Sequence, residues 1–134
     1  MSKVFLGGTC NNSNWRRIME DLLEEFGIEY FNPVVEDWSE EDYKNELLER
    51  ENCDFCLYTI TPKMAGVYSI AEVVDDSNKR PDKTVFVVLD TDDKDEFSKA
   101  QLKSLGAVSK MVYDNGGKVF VSLWSAAQYI NSKK

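Results

Sequence analysis

The sequence predicts an α/β fold: a flavodoxin-like (Rossmann-like) five-stranded parallel sheet with helices on both faces. Three observations predict it. Five short, mostly apolar runs alternate with stretches of helical periodicity, the pattern of parallel strands covered on both sides. Glycine or proline marks most of the junctions. Right-handed crossovers then leave few topologies, of which the order 2-1-3-4-5 is the simplest. The length, 134 residues, suits a single domain over residues 1–134 with one core.

Lys3-Val4-Phe5-Leu6-Gly7 reads as the first strand, and Gly7-Gly8-Thr9 as a sharp turn after it. Cys10 to Asn14 is polar and rich in candidate caps. Trp15, Ile18, Met19, Leu22, Leu23 and Phe26 recur at helical spacing, and Gly27 closes that helix. Ile28 to Asn32 is the second strand, stopped by Pro33, with a loop from Val34 to Trp38. Ser39 and Asp42 have the spacing of a capping box, with Asp in place of Glu. The helix they open runs through Tyr43, Leu47 and Leu48 to about Glu51, a boundary read from pattern alone. Asp54 to Ile60 is the third strand. Thr61-Pro62 breaks it, and a helix opens near Gly66 and runs to Lys79. Thr84 to Leu89 is the most continuous apolar run and the central strand. Asp90 to Asp95 reads as an acidic loop, without the glycine and terminal Glu of a calcium loop. A helix from about Glu96 to Leu105 is expected to break at Gly106, with Val108 to Tyr113 either continuing it or forming an irregular segment. Lys118 to Ser122 is the fifth strand, and Leu123 to Ile130 a closing helix.

Composition narrows the function. Lys and Arg number 16 against 24 Asp and Glu, a net charge of −8. That disfavours a nucleic-acid polymer and an anionic membrane surface as partners. No apolar run approaches a membrane span, and the N-terminus lacks a signal peptide's long apolar region, so a cytoplasmic protein is expected. There is no histidine, which excludes Ser-His-Asp and Cys-His chemistry and His-ligated metals. Acid–base work falls to carboxylates, tyrosines, lysines or thiols. Cys53 and Cys56 form a lone C-x-x-C at a strand start, where residues three apart point to opposite faces. Buried reduced thiols fit better than zinc or redox chemistry, and no metal or cofactor is expected.

In such sheets ligands bind beyond the carboxyl ends of the strands, where the strand order reverses. Here that crevice lies between the Gly7-Gly8-Thr9 turn and the Thr61–Gly66 segment. The turn suits a phosphate or sugar, or is simply a tight βα turn that needs glycine. Gly66 lets backbone come close to a ligand. Tyr68 and Ser69 lie four and three residues before Glu72, so the three side chains meet on one flank of the helix. They read as a catalytic group at the mouth of a strand-to-helix turn, or as a solvated flank. Val67, Ile70, Ala71 and Val74 make the apolar stripe, which leaves Glu72 off the core side. On that placement, truncating Glu72 is expected to cost no more than about 0.5 kcal/mol. Trp38 either stacks on a base or covers the core.

Val4-Phe5-Leu6-Gly7-Gly8-Thr9, Asn32-Pro33 with Trp38 following, Cys53-Asp54 and Gly66-Val67-Tyr68-Ser69-Ile70-Ala71-Glu72 form an ordered set. In it the chain, from about Lys3 to Leu89 by motif matching alone, resembles the nucleoside 2-deoxyribosyltransferase-like proteins. The resemblance implies cleavage of an N-glycosidic bond of a nucleoside or nucleotide by a glutamate that forms a glycosyl intermediate. It implies that Glu72 is that glutamate and Glu46 the second acid, on the helix before the third strand, where other members carry Asp. It leaves Asp54 a structural part at the strand's entry and puts Ser69 near the sugar or phosphate; with that chemistry, the Gly7-Gly8-Thr9 backbone suits the sugar or a 5′-phosphate. It further implies a homodimer or larger homo-oligomer with sites completed by a neighbour. Phe5 stands where the transferases have tyrosine, and the Thr61–Gly66 loop lacks their Asp. Three readings follow: a transferase of (deoxy)ribosyl groups between bases, a hydrolase of the same bond, and a non-catalytic nucleotide- or protein-binding module.

Overall fold

A computed structural model of the chain describes residues 2–10 and 12–134; Met1 and Asn11, the latter one of the candidate caps, lie outside the described residues. The elements are β1 (Lys3–Gly8), α1 (Trp15–Glu25), β2 (Glu29–Phe31), α2 (Glu40–Asn52), β3 (Phe55–Ile60) and α3 (Tyr68–Lys79). A 3-10 turn (Pro81–Lys83) leads into β4 (Thr84–Val88), a short hairpin of β5 (Thr91–Asp92) and β6 (Asp95–Glu96), then α4 (Lys99–Asp114), β7 (Lys118–Phe120) and α5 (Leu123–Lys133). The main sheet is parallel throughout, in the order β2-β1-β3-β4-β7. This is the expected 2-1-3-4-5 order, the fifth main strand being β7.

The alternation of side chains along each strand splits the core into two layers. Val4, Leu6, Leu57, Val85 and Val87 face Trp15, Met19 and Leu23 of α1 and Ala126, Ala127 and Ile130 of α5. Phe5, Tyr58, Ile60 and Phe86 face Val73 of α3 and Leu105 and Val112 of α4. β1, β3 and β4 are buried on both faces, which is why they read as continuous apolar runs.

Several expectations are corrected. The acidic segment after β4 is an antiparallel hairpin rather than a loop, turning at Asp93 with φ 55°. α4 runs through Gly106, because Leu105 and Val112 on one face both reach the core. That packing outweighs the roughly 1 kcal/mol that an interior glycine costs a helix. α3 starts at Tyr68, two residues later than Gly66. Cys53 caps the C-terminus of α2 and is not in β3, so strand parity does not apply to the C-x-x-C. Both thiols are free and buried in the same core layer, and burial pushes each up to about 12.

Candidate active site

The cleft forms where β1 and β3 end side by side. Gly8 pairs with Thr59 across the two strands. Its φ is +125°, and a Cβ there would lie 2.0 Å from the Thr59 carbonyl oxygen, so only glycine allows the approach. The Thr9 amide donates to Thr59 O at 2.9 Å, and the Thr61 amide donates to Thr9 Oγ1 at 3.0 Å. The loops after β1 and β3 are thereby stitched into one floor.

Arg16, in the first turn of α1, secures this floor from behind. It donates to the carbonyls of Leu6 (3.1 Å), Thr9 (2.6 Å) and Gly8 (3.3 Å). Its guanidinium lies over the Trp15 ring, 4.6 Å from the centroid, and Trp15 Nε1 donates to the same Thr9 carbonyl at 2.7 Å. Burial lowers the Arg16 pKa from its usual value. The hairpin braces the floor at both ends: Ser13 Oγ donates to Asp92 at 2.6 Å, and Lys63 Nζ pairs with Asp93 at 2.9 Å.

The cleft above this floor has a volume of about 340 Å³. All nine residues singled out from the sequence line it: Gly7, Gly8 and Thr9 at the end of β1, Trp38 and Glu46 on one wall, Gly66, Tyr68, Ser69 and Glu72 on the other. Phe5, Cys10, Arg16, the Pro33–Val35 segment, Met64 and Ala65 complete the lining. Among the described residues no side chain caps the N-terminus of α3, so its opening residues, Tyr68 and Ser69, bring first-turn amides without a capping partner to the cleft. A Cβ at Gly66 would meet no protein atom within 4 Å, so nothing in the protein itself demands glycine there.

Glu72 departs from the expected placement. It is 7% exposed. The buried face of α3 is Glu72, Val73, Asp76 and Ser77, whereas Val67 is 69% exposed and Ala71 is exposed. The apolar stripe read from the sequence is thus rotated away from the true inner face. The reason lies in Asp76, which is fully buried: it receives Arg50 Nε at 3.2 Å and Nη2 at 2.9 Å, the Tyr58 hydroxyl, and Arg80 Nη1. Arg50 Nη1 lies 3.6 Å from Glu72 Oε2. Satisfied charges thus fill a face that apolar residues usually fill. Burial pushes the Glu72 carboxyl up to about 7; Arg50 opposes the shift, Glu46 and Asp76 add to it, and Arg16 opposes it.

Trp38 does not cover the core; it is 57% exposed. Its indole N–H donates to Glu46 Oε2, and its ring meets Tyr43 edge-on at 5.5 Å between centroids. Glu46 is therefore held as a hydrogen-bond acceptor beside the one large aromatic surface of that wall. Asp54 has the structural place expected of it, accepting from the Lys3 amide at 2.8 Å and donating its own amide to Lys3 O at 2.9 Å. The residues that sequence reasoning missed are Arg16, Arg50, Tyr58 and Asp76. The i, i+4 pair Glu72 and Asp76 was the available signal for Arg50, since two carboxylates on one buried helix face require a cation.

Fold and cleft together define an α/β protein with two facing carboxylates at the carboxyl edge of its sheet, where the strand order reverses. The chain belongs to the nucleoside 2-deoxyribosyltransferase-like family, whose family model matches residues 1–92. The match spans β1 through β5 and includes every residue lining the cleft. Comparison with curated proteins and with solved structures gave no match. Among the described residues, no helix is long and apolar enough to cross a membrane.

Proposed function

We propose that the protein cleaves or transfers at the N-glycosidic bond of a nucleoside or nucleotide, with Glu72 as nucleophile. The observation that carries this is the position of Glu72: a buried carboxylate that lines the cleft together with a second carboxylate and a tryptophan. Membership of the family supports it. A Glu72 oxygen attacks the anomeric carbon as the bond to the base nitrogen breaks. The base leaves with the electron pair and takes a proton relayed by Glu46. A second base or water then attacks the same carbon and releases Glu72, as in retaining glycosidases. Trp38 supplies a face for the base once its N–H lets go of Glu46. The Gly7-Gly8-Thr9 backbone, Gly66 and the Tyr68 and Ser69 amides cradle the sugar. The reaction needs no cofactor. Three free cysteines suit the reducing cytoplasm as its place of action.

A carboxyl near pKa 7 is ionised in about half the molecules at neutral pH, which leaves room for the opposite division of labour between Glu72 and Glu46. One experiment decides. The protein is incubated with nucleosides and nucleoside monophosphates, quenched in acid, digested and analysed by mass. A pentosyl adduct on the Glu72 peptide is the expected result. An adduct on Glu46 reverses the roles. Base release with no adduct, undiminished in Glu72→Ala, removes the covalent mechanism. Binding without any base release favours the non-catalytic module.

A further inference from the structure

We propose that Arg50 is the positioning residue of Glu72: anchored on Asp76, its guanidinium holds the Glu72 carboxylate in place and charged for attack. The proposal rests on Glu72 being the attacking group.

The geometry is that of a clasp with one free arm. Arg50 stands in the last turn of α2 with its side chain 5% exposed. Its Nε and Nη2 fork onto the two oxygens of Asp76, the arrangement in which a guanidinium is most rigidly oriented. Asp76 is itself fixed by the Tyr58 hydroxyl from β3 and by Arg80. Nη2 also reaches Asp75 at 3.0 Å. Only Nη1 remains, and it points to Glu72, one helical turn before Asp76. At 3.6 Å it exerts its charge on Oε2 without a hydrogen bond to it. That separation suits a nucleophile. A short bond would pin the oxygen lone pair that must attack; no cation at all would leave a buried carboxyl protonated.

The groups around Glu72 make Arg50 the deciding one. Arg50 and Glu46 face it from α2, Arg16 from α1, Tyr58 from β3, and Tyr68 and Asp76 from its own helix. Burial, Glu46 and Asp76 favour the protonated form. Arg50 is the strongest influence the other way, ahead of Arg16. Arg16 is moreover occupied by three carbonyls. A clasp serving only to join α2 to α3 would need Asp76 and nothing at Glu72.

The test reads Glu72 directly. Carboxyl-carbon NMR follows its titration in the ligand-free protein, wild type against Arg50→Gln, Arg50→Lys and Asp75→Asn. Arg50→Gln should move the Glu72 midpoint up by about one pH unit or more, with the acid limb of base release moving alongside. Arg50→Lys keeps the charge but not the fork, so the midpoint should stay near wild type. Its kcat should fall about tenfold, with KM little changed. Asp75 is partly exposed and competes for Nη2, so Asp75→Asn should fold and move the midpoint down. A folded Arg50→Gln with an unmoved midpoint overturns the proposal. Should Arg50→Gln not fold, an unmoved midpoint in Asp75→Asn does so. The titration needs no substrate. A shifted midpoint with no Glu72 adduct removes Glu72 as the attacking group alone; an adduct with an unmoved midpoint removes the role of Arg50 alone.

Discussion

Glu72 is held against its own preference for water, and that has a sign that can be measured. Its carboxyl titrates near 4.5 when unperturbed and is pushed up to about 7 in the folded protein. Between those values the folded state binds more protons than the unfolded state. Stability therefore falls as pH rises from about 4.5 to about 7, and the loss is complete above that. The shift corresponds to about 3 kcal/mol at most. Glu72→Gln removes the titration while keeping the shape and leaving Arg50 paired with Asp76. Expected from denaturant unfolding is a variant more stable than wild type by roughly 1–3 kcal/mol at pH 8 and equal to it near pH 4. A variant less stable at pH 8 would mean that the pair with Arg50 outweighs burial. This replaces the expectation of a near-neutral truncation, which treated Glu72 as a surface residue. Few sequence signals mark a buried carboxylate, because a helix's inner face is read from its apolar residues and a glutamate counts as polar wherever it points.

At the scale of elements, α2 behaves differently from the other helices. Arg50 is its only buried residue; Tyr43, Leu47 and Leu48 are 36%, 40% and 55% exposed. It is held by its ends. Ser39 and Asp42 close the capping box expected from their spacing, the Ser39 side chain accepting from the Asp42 amide at 3.2 Å and Asp42 accepting from Ser39 N at 3.0 Å. The far end is tied by Arg50, by Lys3 to Glu49 at 3.0 Å, and by Lys83 to the Glu51 and Cys53 carbonyls. With so little packing, the cap matters more than usual. Ser39→Ala should cost about 1 kcal/mol. Because Glu46 sits on this helix, hydrogen exchange should rise from Glu40 to Glu46 more than in α3. Uniform exchange across both helices would show α2 to be supported elsewhere. Caps of this kind were legible in the sequence because they depend on neighbours in the chain. The inner face of α3 was not, because it depends on Arg50, 22 residues before Glu72, and on Tyr58 from another strand.

For the whole molecule, the strand order was legible because each of β1, β3 and β4 buries both faces and admits little but apolar residues. The cleft followed from that order, since the carboxyl ends of β1 and β3 adjoin only in this topology. The hairpin was hidden by its charge, its four strand residues pairing around an aspartate turn with almost no apolar content. What the single chain leaves open is one side of the cleft. Val34, Val35, Trp38, Tyr43, Val67 and Tyr68 expose apolar surface in and beside it, and clustered exposed apolar side chains mark an interaction surface. We propose that a second copy covers it, forming a symmetric dimer or larger assembly that shields the cleft from water. Four of these residues, Val34, Val35, Trp38 and Tyr68, also line the cleft, and that continuity of the patch with the site supports this reading. Light scattering on a sizing column at micromolar concentration should give twice the chain mass or more. Tyr43→Glu places a like-charged, desolvated group in a two-fold contact twice over, so it should yield monomer. Tyr43 touches the cleft residues Trp38 and Tyr68 without lining the cleft itself, so a monomeric Tyr43→Glu should keep its fold, with transfer to a second base giving way to hydrolysis as water enters. A wild type that is monomeric and active would show the cleft to be complete within one chain, and the exposed rim would then be free to receive a different partner.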